Sequence, residues 1–524
     1  MAHAATATDG GAAAPPKKKF KLSFPTAFTI LFVLTILAVL ATQFIPAGSY
    51  SKLSYDKVSA DLVITAPDGT MTHMPATQEA LAENPVTADM EVDVSKFVEG
   101  AITKPVSIPG TYTELPQHAM GASDITLAMV NGTINGVDIM VFIFVLGGFI
   151  GFVRMTGAFE AGLLALTRKT KGREFALVFA VSVFMLIGGT TCGLEEEAVA
   201  FYPILVPLFL ALGYDSIVSV GAIFLAGSMG TAFSTINPFS VVIAANAAGT
   251  TFTEGIEWRI GGLVVGGIVV IAYLYWYCKK LKANPEFSYT YEDREHFAEL
   301  YSMGSADDPE VAIFNARKKI ILALFVASFV LMVVGVMALH WWFPQMAAMF
   351  LAVTIVCMLI SGKDEKACTE AFTAGASSMV GVSLIIGLAR GINLVLENGL
   401  VSDTILYNAS NLVAGMNGPL FIVMMFLLFF LLGFIVPSSS GLAVLAMPIL
   451  APLADTVGID RSAIICAYNW GQYAMLFLAP TGLVMATLQM LDMKYSHWFK
   501  FVWPMVAFLS VFGCILLVAQ VLVG

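Results

Sequence analysis

The sequence predicts an all-α polytopic membrane protein of two inverted-topology repeats, each with a re-entrant hairpin and a discontinuous transmembrane helix. Three observations lead to this prediction. The 524 residues are 58% hydrophobic and 12% charged, with a mean hydropathy of +0.82, whereas a soluble protein carries about 25% charged residues. Apolar runs of about 20 residues, the length that crosses a bilayer as a helix, recur along the chain. One motif also occurs twice, once in each half.

The amino-terminal region has a basic segment followed by an apolar run. Residues 1–22 are rich in Ala, Thr, Gly and Pro and contain the run PPKKKFK, which predicts a disordered cytoplasmic tail. Residues 23–46 are longer than the apolar part of a signal peptide and lack a small-x-small cleavage site. We therefore expect them to form an uncleaved first transmembrane helix.

The next segment, residues 47–134, is polar. Its turn signals at 67–69 and 108–110, together with stretches rich in Tyr, Val and Thr, predict a small β-containing loop. Its acidic residues outnumber its lysines. A loop with so few basic residues is expected on the extracytoplasmic side.

Clusters of Lys and Arg recur after alternate apolar runs, on one side of the predicted membrane. They comprise Arg168, Lys169, Lys171, Arg173, Lys279, Lys280, Lys282, Arg317, Lys318, Lys319, Lys363, Lys366, Lys494 and Lys500. This bias predicts a multi-pass protein of the bacterial inner membrane, with a cytoplasmic amino terminus and an outside carboxyl terminus. Residues 283–319 then form a cytoplasmic linker between repeat 1 (135–282) and repeat 2 (365–524), and residues 320–364 form connecting transmembrane helices.

The duplicated motif is P-I-L-x-P-L followed by G-x-D. Pro203–Leu208 resembles Pro448–Leu453, and the Gly213–Asp215 turn matches Gly458–Asp460 at the same offset. The shared order and constant offset favour a duplication over a chance similarity between two apolar segments.

Each half contains two interrupted apolar stretches. The first is broken by a small-polar patch, near 189–193 in repeat 1 and near 437–441 in repeat 2, with arms of about 15 residues that are shorter than a full span. These patches predict the tips of re-entrant hairpins, the first entering from the cytoplasm and the second from outside. The other stretch is broken beside a proline, near 234–238 and near 479–482. Discontinuous helices in matched places indicate a transport site.

Several of these segments resemble one transporter family. They are Pro46–Tyr50, Gly193–Glu197, Gly213–Asp215, Asn237–Phe239 and Pro437–Gly441. The chain is similar through them to the YfcC/ArcD-type basic amino acid antiporter family, a relative of the anaerobic C4-dicarboxylate carriers in the ion transporter superfamily. The resemblance implies a two-hairpin inverted-repeat fold, often dimeric. It also implies amino acid substrates such as arginine and ornithine, or small carboxylates as in related carriers.

Three consecutive acids follow the first predicted tip: Glu195, Glu196 and Glu197. A carboxylate at membrane depth is costly and is a functional candidate by default. The alternative is that these acids start a half-helix, whose positive end favours each by about 0.3–1 kcal/mol. Consecutive helical residues point about 100° apart, so not all three can face one site. Their counterparts in repeat 2 are Ser440–Leu442, so the acids are not a requirement of the repeated scaffold.

The other candidates are polar or helix-breaking residues at the tips and breaks. Together with the three acids, the predicted substrate-binding set comprises Thr190, Thr191, Gly193, Ser234, Thr235, Asn237, Pro238, Arg390, Ser438, Ser439, Ser440, Gly441, Asn469, Pro480 and Thr481. The hydroxyls can also cap half-helices, and Asn237 and Thr481 can instead satisfy the backbone that proline frees. Arg390 either pairs with Glu397, about two turns away, or faces the substrate. Gln472 is a weaker candidate, and Tyr468, Trp470 and Tyr473 are expected to pack.

These features predict a secondary active transporter, an antiporter or an ion-coupled symporter, of amino acids and first of basic ones. Half-helix amides suit the substrate carboxylate, and the three glutamates suit an ammonium or guanidinium group. The alternative substrates are small di- or monocarboxylates, with the glutamates carrying protons. An intramembrane enzyme built on Ser438–Ser440 is disfavoured because no histidine lies at membrane depth. We expect no cofactor and no metal site, Na⁺ or H⁺ as coupling ion, a homodimer in the bilayer and no nucleic acid.

Overall fold

The structure is a computed structural model. It describes residues 27–88, 90, 92–99, 102, 105–162, 165, 172–301, 314–339, 341–413, 416–480 and 482–523. The predicted tail at 1–22, the basic residues Arg168, Lys169 and Lys171, and the site candidate Thr481 lie outside the described residues.

The described chain is predominantly helical. Its α-helices lie at Ala27–Phe44, Gln78–Glu83, Ser95–Val98, Ala122–Asn135, Val137–Met155, Phe175–Cys192, Tyr202–Ala211, Ser216–Val220, Ala226–Ala232, Ile243–Ala248, Ile256–Ala283, Arg294–Leu300, Ala316–Leu339, Phe343–Ser361, Glu365–Ser378, Val380–Asn398, Ser402–Val413, Gly418–Ile435, Ser439–Thr456, Arg461–Leu478, Gly482–Met490 and Tyr495–Val523. Short 3₁₀ or π turns lie at Glu197–Phe201, Gly221–Leu225, Pro238–Val242, Pro285–Phe287 and Tyr291–Asp293. Eight helical segments in the described ranges are long and apolar enough to cross a membrane, which confirms the polytopic helical fold.

The predicted β-containing loop consists of two small antiparallel sheets. Its strands are β1 (Gly48–Ser49), β2 (Lys52–Asp56), β3 (Asp61–Thr65), β4 (Met71–Pro75), β5 (Val106–Ser107) and β6 (Thr113–Glu114). Strand β1 pairs with β6, and the other four are ordered β4-β3-β2-β5. The sheets dock on repeat 2, where the buried Asp403 carboxylate accepts hydrogen bonds from Ser49 Oγ and Tyr50 N, both at 3.1 Å.

One part of the predicted loop is wrong. Residues 122–134, assigned to the loop, form the helix Ala122–Asn135. This helix mixes apolar residues with Asp124, Asn131 and Asn135, so it does not register as an apolar run. The helix starts just after the sheets. Its N-cap residue Gly121 has an extended backbone, and Gly121 N donates to Asp124 Oδ2 in the first turn at 2.7 Å. Repeat 1 therefore begins earlier than residue 135.

Each repeat begins with a bent helix, and the two bent helices cross each other. Ala122–Asn135 packs against Val380–Asn398, and Val137–Met155 packs against Glu365–Ser378. At both crossings the contact is glycine on backbone: a Cβ on Gly132 would overlap Gly391, and a Cβ on Gly375 would overlap the carbonyl of Gly147. The first helix of each repeat thus contacts the second helix of the other, as expected for two repeats that share one design.

The later part of each repeat carries one hairpin and one broken helix. Hairpin 1 comprises Phe175–Cys192 and Tyr202–Ala211, and broken helix 1 comprises residues 216–232 and 238–248. Hairpin 2 comprises Gly418–Ile435 and Ser439–Thr456, and broken helix 2 comprises Arg461–Leu478 and Gly482–Met490. The tips lie at 193–196 and 436–438, so the small-polar patches around 189–192 and 439–441 are already helical. Three of the four arms are 18 residues long rather than about 15.

The two hairpins enter from opposite faces of the helical bundle. On the face that carries the linker residues 284–301, Ser288 Oγ donates to Asp215 Oδ2 at the base of hairpin 1 (2.6 Å). On the same face Lys282 Nζ lies 2.8 Å from Glu174 and lowers the pKa of that carboxyl to about 2. On the opposite face, which carries the sheets, Pro109 of the loop lies beside Pro448 and Pro452 of hairpin 2. The predicted inverted arrangement is confirmed.

The first prediction tests this inversion. In a cysteine-free protein, Ala211→Cys at the base of hairpin 1 and Val457→Cys at the base of hairpin 2 should react with a membrane-impermeant maleimide from opposite sides. Maleimide labelling of whole cells and of inverted vesicles measures the accessibility of each cysteine from the two sides separately. Reaction of both cysteines from one side would contradict the inverted arrangement.

The second prediction concerns the glycine crossings. Gly132→Ala and Gly375→Ala should each lower the melting temperature of purified protein, because overpacking typically costs about 1–3 kcal/mol. The matched control is Gly261→Ala, also within a helix, where a Cβ meets nothing within 4 Å; it should leave the melting temperature unchanged or raise it slightly. Equal effects of all three substitutions would show that close approach is not required.

Candidate functional site

Hairpin 1 turns at a glycine that its surroundings require. The first arm ends at Gly193, whose φ of 69° is left-handed and whose N–H donates to Gly188 O. A Cβ at position 193 would lie 2.8 Å from Asn237 Nδ2 in the break of broken helix 1. Both the conformation and the close approach therefore select glycine here.

The first tip is fastened to the first break by hydrogen bonds. Thr190 Oγ1 donates to Phe233 O (2.9 Å), a carbonyl that the break leaves without its helical partner. Thr235 N donates back to Thr190 Oγ1 (3.0 Å), and Asn237 Nδ2 donates to Gly189 O (2.9 Å). These side chains satisfy backbone groups that have no water to bind at membrane depth. Of the two roles considered for Asn237, the structure shows backbone satisfaction.

Two backbone carbonyls at the second break accept hydrogen bonds from a different element. The carbonyl of Phe477 accepts from Trp498 Nε1 at 2.9 Å, and the carbonyl of Leu478 accepts from the Tyr495 hydroxyl. Both donors belong to the last helix, Tyr495–Val523. The second tip therefore does not serve these two carbonyls of its own break.

The second tip is held instead by side chains of the first half of broken helix 2. Gln472 Nε2 donates to Val436 O (3.3 Å), and Tyr468 Oη donates to Ser439 O (2.7 Å). Ser439 Oγ lies 2.9 Å from Tyr473 Oη. Ser438 caps the helix by accepting from Gly441 N at 3.2 Å, as its residue type predicts.

The two repeats meet at Glu195. Tyr473 Oη, on broken helix 2, donates to Glu195 Oε2 at 2.9 Å. Nearby, the hydroxyl of Ser240 on broken helix 1 donates to Asn469 Oδ1 on broken helix 2. A continuous polar path thus runs from the first tip, through broken helix 2, to the second tip. This path is the candidate functional site.

The three consecutive acids differ sharply in environment. Glu195 is partly buried, Glu196 is exposed, and Glu197 is 6% exposed. One oxygen of Glu195, Oε1, is buried without a hydrogen-bond partner among the described residues. The hydroxyls of Ser228 and Thr231 also lie near this carboxylate. Only Glu195 of the three contacts the opposite repeat through a described hydrogen bond.

Two further predicted residues face elsewhere. Arg390 Nη1 donates to Asn135 O (2.5 Å), at the carboxyl end of the helix Ala122–Asn135, where a positive charge is favourable. Thr191 Oγ1 donates back to Ile187 O in its own helix (2.7 Å). The structure thus gives Arg390 a partner outside the polar path between the tips.

The remaining predicted residues lie at the tips and breaks themselves. They are Ser234, Pro238, Ser440, Gly441 and Pro480. Ser234 Oγ contacts Ser240 Oγ at 3.3 Å, which extends the polar path through the first break.

Sequence analysis missed two side chains that hold the second tip. It assigned Tyr468 and Tyr473 to packing, and both are fully buried, yet their hydroxyls hold the second tip. The signal was present in the sequence: Asn469, Gln472 and Tyr473 stand at the i, i+3, i+4 spacing that places them on one helix face. A polar face on a membrane helix indicates a path or a site.

Comparisons with known proteins identify the family. The chain matches the DcuC family, the C4-dicarboxylate anaerobic carriers, over residues 24–522. It is 62% identical to an uncharacterized protein of Haemophilus influenzae over 506 residues, covering 96% of this chain and 98% of that one. It is 32% identical to the putative basic amino acid antiporter YfcC of Escherichia coli over 402 residues, covering 74% and 78%.

Two solved transporter structures are also similar. The YdaH transporter of Alcanivorax borkumensis gives a TM-score of 0.37 at 14% identity, with 94% of this chain and 98% of that chain covered. MtrF of Neisseria gonorrhoeae, from a class of antimetabolite efflux pumps, gives 0.36 at 15% identity, with 96% of each chain covered. The chain is a multi-span membrane transporter, not an enzyme, and it belongs to the DcuC family of carriers.

Proposed function

We propose that this transporter carries amino acids, first of all basic ones such as arginine and ornithine, by alternating access between the two hairpin tips. The observation that carries the proposal is the position of Glu195. Its carboxylate lies where the two repeats meet, bonded across them by Tyr473 and with a second oxygen that has no described partner. A carboxylate in such a place needs a cation, either a substrate group or a proton.

The charge balance of the site elements favours a cationic group. Residues 175–248, which form hairpin 1 and broken helix 1, contain no Lys and no Arg. Arg461 is the only Lys or Arg in residues 418–490. It pairs with Asp455 and donates to Ala248 O at the sheet-bearing face. The acids Glu195–Glu197 therefore give the region between the tips a net negative charge. An ammonium or guanidinium group is stabilised there, and an anion is repelled.

The substrate carboxylate has a separate place to bind. The helix Ser439–Thr456 begins at the second tip, so its first amides and the positive end of its dipole point towards the polar path. An amino acid with a cationic side chain would then span from these amides to Glu195. This arrangement supports a zwitterionic substrate with an additional positive charge.

The relatives support two substrate classes. The name of Escherichia coli YfcC, at 32% identity, supports a basic amino acid as the substrate and exchange as the transport mode. The name of the DcuC family supports C4-dicarboxylates as the second candidate. A dicarboxylate would have to bind beside Glu195 without any basic residue in residues 175–248, so in that case Glu195 would carry a proton.

We propose a homodimer in the bacterial inner membrane, with the linker on the cytoplasmic face and the sheets outside. Lys279, Lys280 and Lys282 near the linker support this orientation through the positive-inside bias. For symport, we propose Na⁺ or H⁺ as the coupling ion.

The third prediction tests the role of Glu195. Glu195→Gln should lower arginine affinity at least about a hundredfold, because breaking a buried charge pair typically costs about 3–5 kcal/mol. Glu196→Gln and Glu197→Gln should have smaller effects. Proteoliposomes in which arginine counterflow and pH-driven uptake are measured side by side give the readout.

The control for this prediction is Glu257→Gln, an exposed acid at the start of the span Ile256–Ala283, which should transport like the parent. If Glu195→Gln keeps counterflow but loses dependence on a pH gradient, then Glu195 carries a proton rather than the substrate. If all three glutamine variants match the parent, the acids only start a half-helix and the assignment of the site is wrong.

A further inference from the structure

Tyr473 makes two hydrogen bonds with one hydroxyl, and its proton can serve only one of them. Tyr473 Oη lies 2.9 Å from Glu195 Oε2 and 2.9 Å from Ser439 Oγ. An ionised carboxylate only accepts, so the Tyr473 proton must point to Glu195, and Ser439 must donate to Tyr473. The three groups form a chain with a fixed direction, Ser439 to Tyr473 to Glu195.

The strength of this chain depends on the charge at Glu195. A hydrogen bond to a free carboxylate is roughly twice as strong as one between neutral groups. A cationic group that pairs with Glu195 competes for the carboxylate and weakens its bond to Tyr473. The hold on Ser439 then weakens as well, because bonds in a chain polarise one another.

The chain ends on the second tip, whose described bonds differ in kind from those of the first tip. Backbone as well as side-chain bonds fasten the first tip to its break, since Thr235 N and Ile236 N both donate to Thr190 O (3.1 and 3.3 Å). The described bonds from the second tip to broken helix 2 all use side chains, from Tyr468, Gln472 and Tyr473. Tyr473 is thus one of three described side chains on broken helix 2 that hold the second tip.

We propose that Tyr473 is a positioning residue that couples occupancy of Glu195 to the position of the hairpin 2 tip. This inference rests on the proposed function, in which a cationic substrate binds at Glu195. Substrate binding on one repeat thereby releases the tip of the other, which is what an exchange cycle requires of a site shared by two moving hairpins. Differential binding to two states of the tip supplies the free energy.

The structure offers a matched control on the same helix. Tyr468 is also fully buried and also donates to Ser439, at the backbone oxygen, 2.7 Å away. Unlike Tyr473, it has no described hydrogen bond to Glu195. Tyr468→Phe removes a tether of the second tip, whereas Tyr473→Phe removes a tether that also senses Glu195.

The test uses the full-length protein without native cysteines and with Val436→Cys as a reporter at the second tip, because the described hydrogen bonds of Val436 are made by its backbone. Arginine should change the maleimide labelling rate of this reporter roughly tenfold, the equivalent of one charge-assisted hydrogen bond. In Tyr473→Phe the labelling rate should no longer depend on arginine, and counterflow should fall roughly tenfold. Arginine should still raise the melting temperature of this variant, by a smaller amount.

Tyr468→Phe should keep the dependence of labelling on arginine, which separates coupling from simple tethering. If Tyr473→Phe does not fold, Ser439→Ala removes the same link from its other end and should behave in the same way. Labelling of Tyr473→Phe or Ser439→Ala that depends on arginine as in the parent would overturn the proposal. If arginine does not raise the melting temperature of the parent, the proposed substrate is wrong and the coupling fails with it, because no cationic substrate then pairs with Glu195. If arginine raises the melting temperature of the parent but leaves its labelling rate unchanged, the coupling alone is overturned.

Discussion

Every backbone polar group inside a bilayer must find a partner within the protein, and each broken helix leaves carbonyls and amides without one. This constraint shapes the centre of the molecule. In repeat 1 the hairpin tip supplies the partners, through Thr190 and Asn237. In repeat 2 the last helix supplies them, through Tyr495 and Trp498. Two repeats of common design thus solve the same problem with different elements.

This difference has consequences for function. The first tip and the first break form one bonded unit, and Glu195 projects from it towards the other repeat. The described bonds of the second tip come from a row of side chains on broken helix 2, Tyr468, Gln472 and Tyr473. A first tip that is bonded to its break and bears the charge, and a second tip whose side-chain tether contacts that charge, are suited to a cycle in which one tip moves and the other keeps the site intact.

Much of this architecture could be predicted from the sequence because it depends on composition and order. Apolar length predicted the spans, and the repeated prolines and small-polar patches predicted the hairpins and breaks within a few residues. The helix Ala122–Asn135 was missed because its polar residues interrupt the apolar pattern that defines a span. The predicted tips differ from the observed tips by a few residues. Gly188–Cys192 and Ser439–Gly441 consist of residue types that are typical of turns, whereas packing keeps them helical.

The candidate site was only partly accessible to sequence analysis. An acid at membrane depth stands out, so Glu195–Glu197 could be singled out, but only the structure shows which of them contacts the opposite repeat. In the sequence, Tyr473 differs from a packing aromatic only in sharing a helix face with Asn469 and Gln472. Its role depends on two partners elsewhere in the chain, Glu195 and Ser439. The backbone-satisfying roles of Thr190 and Asn237 likewise depend on which element covers each break.

The central claim is that the two repeats enclose a net negative site for a cationic amino acid. Equilibrium binding of radiolabelled arginine to the purified protein, with competition by ornithine and by succinate, tests it most directly. The account predicts saturable arginine binding that ornithine displaces and succinate does not. Displacement by succinate, or saturable succinate binding without arginine binding, would contradict it and would indicate a carboxylate site in which Glu195 is protonated.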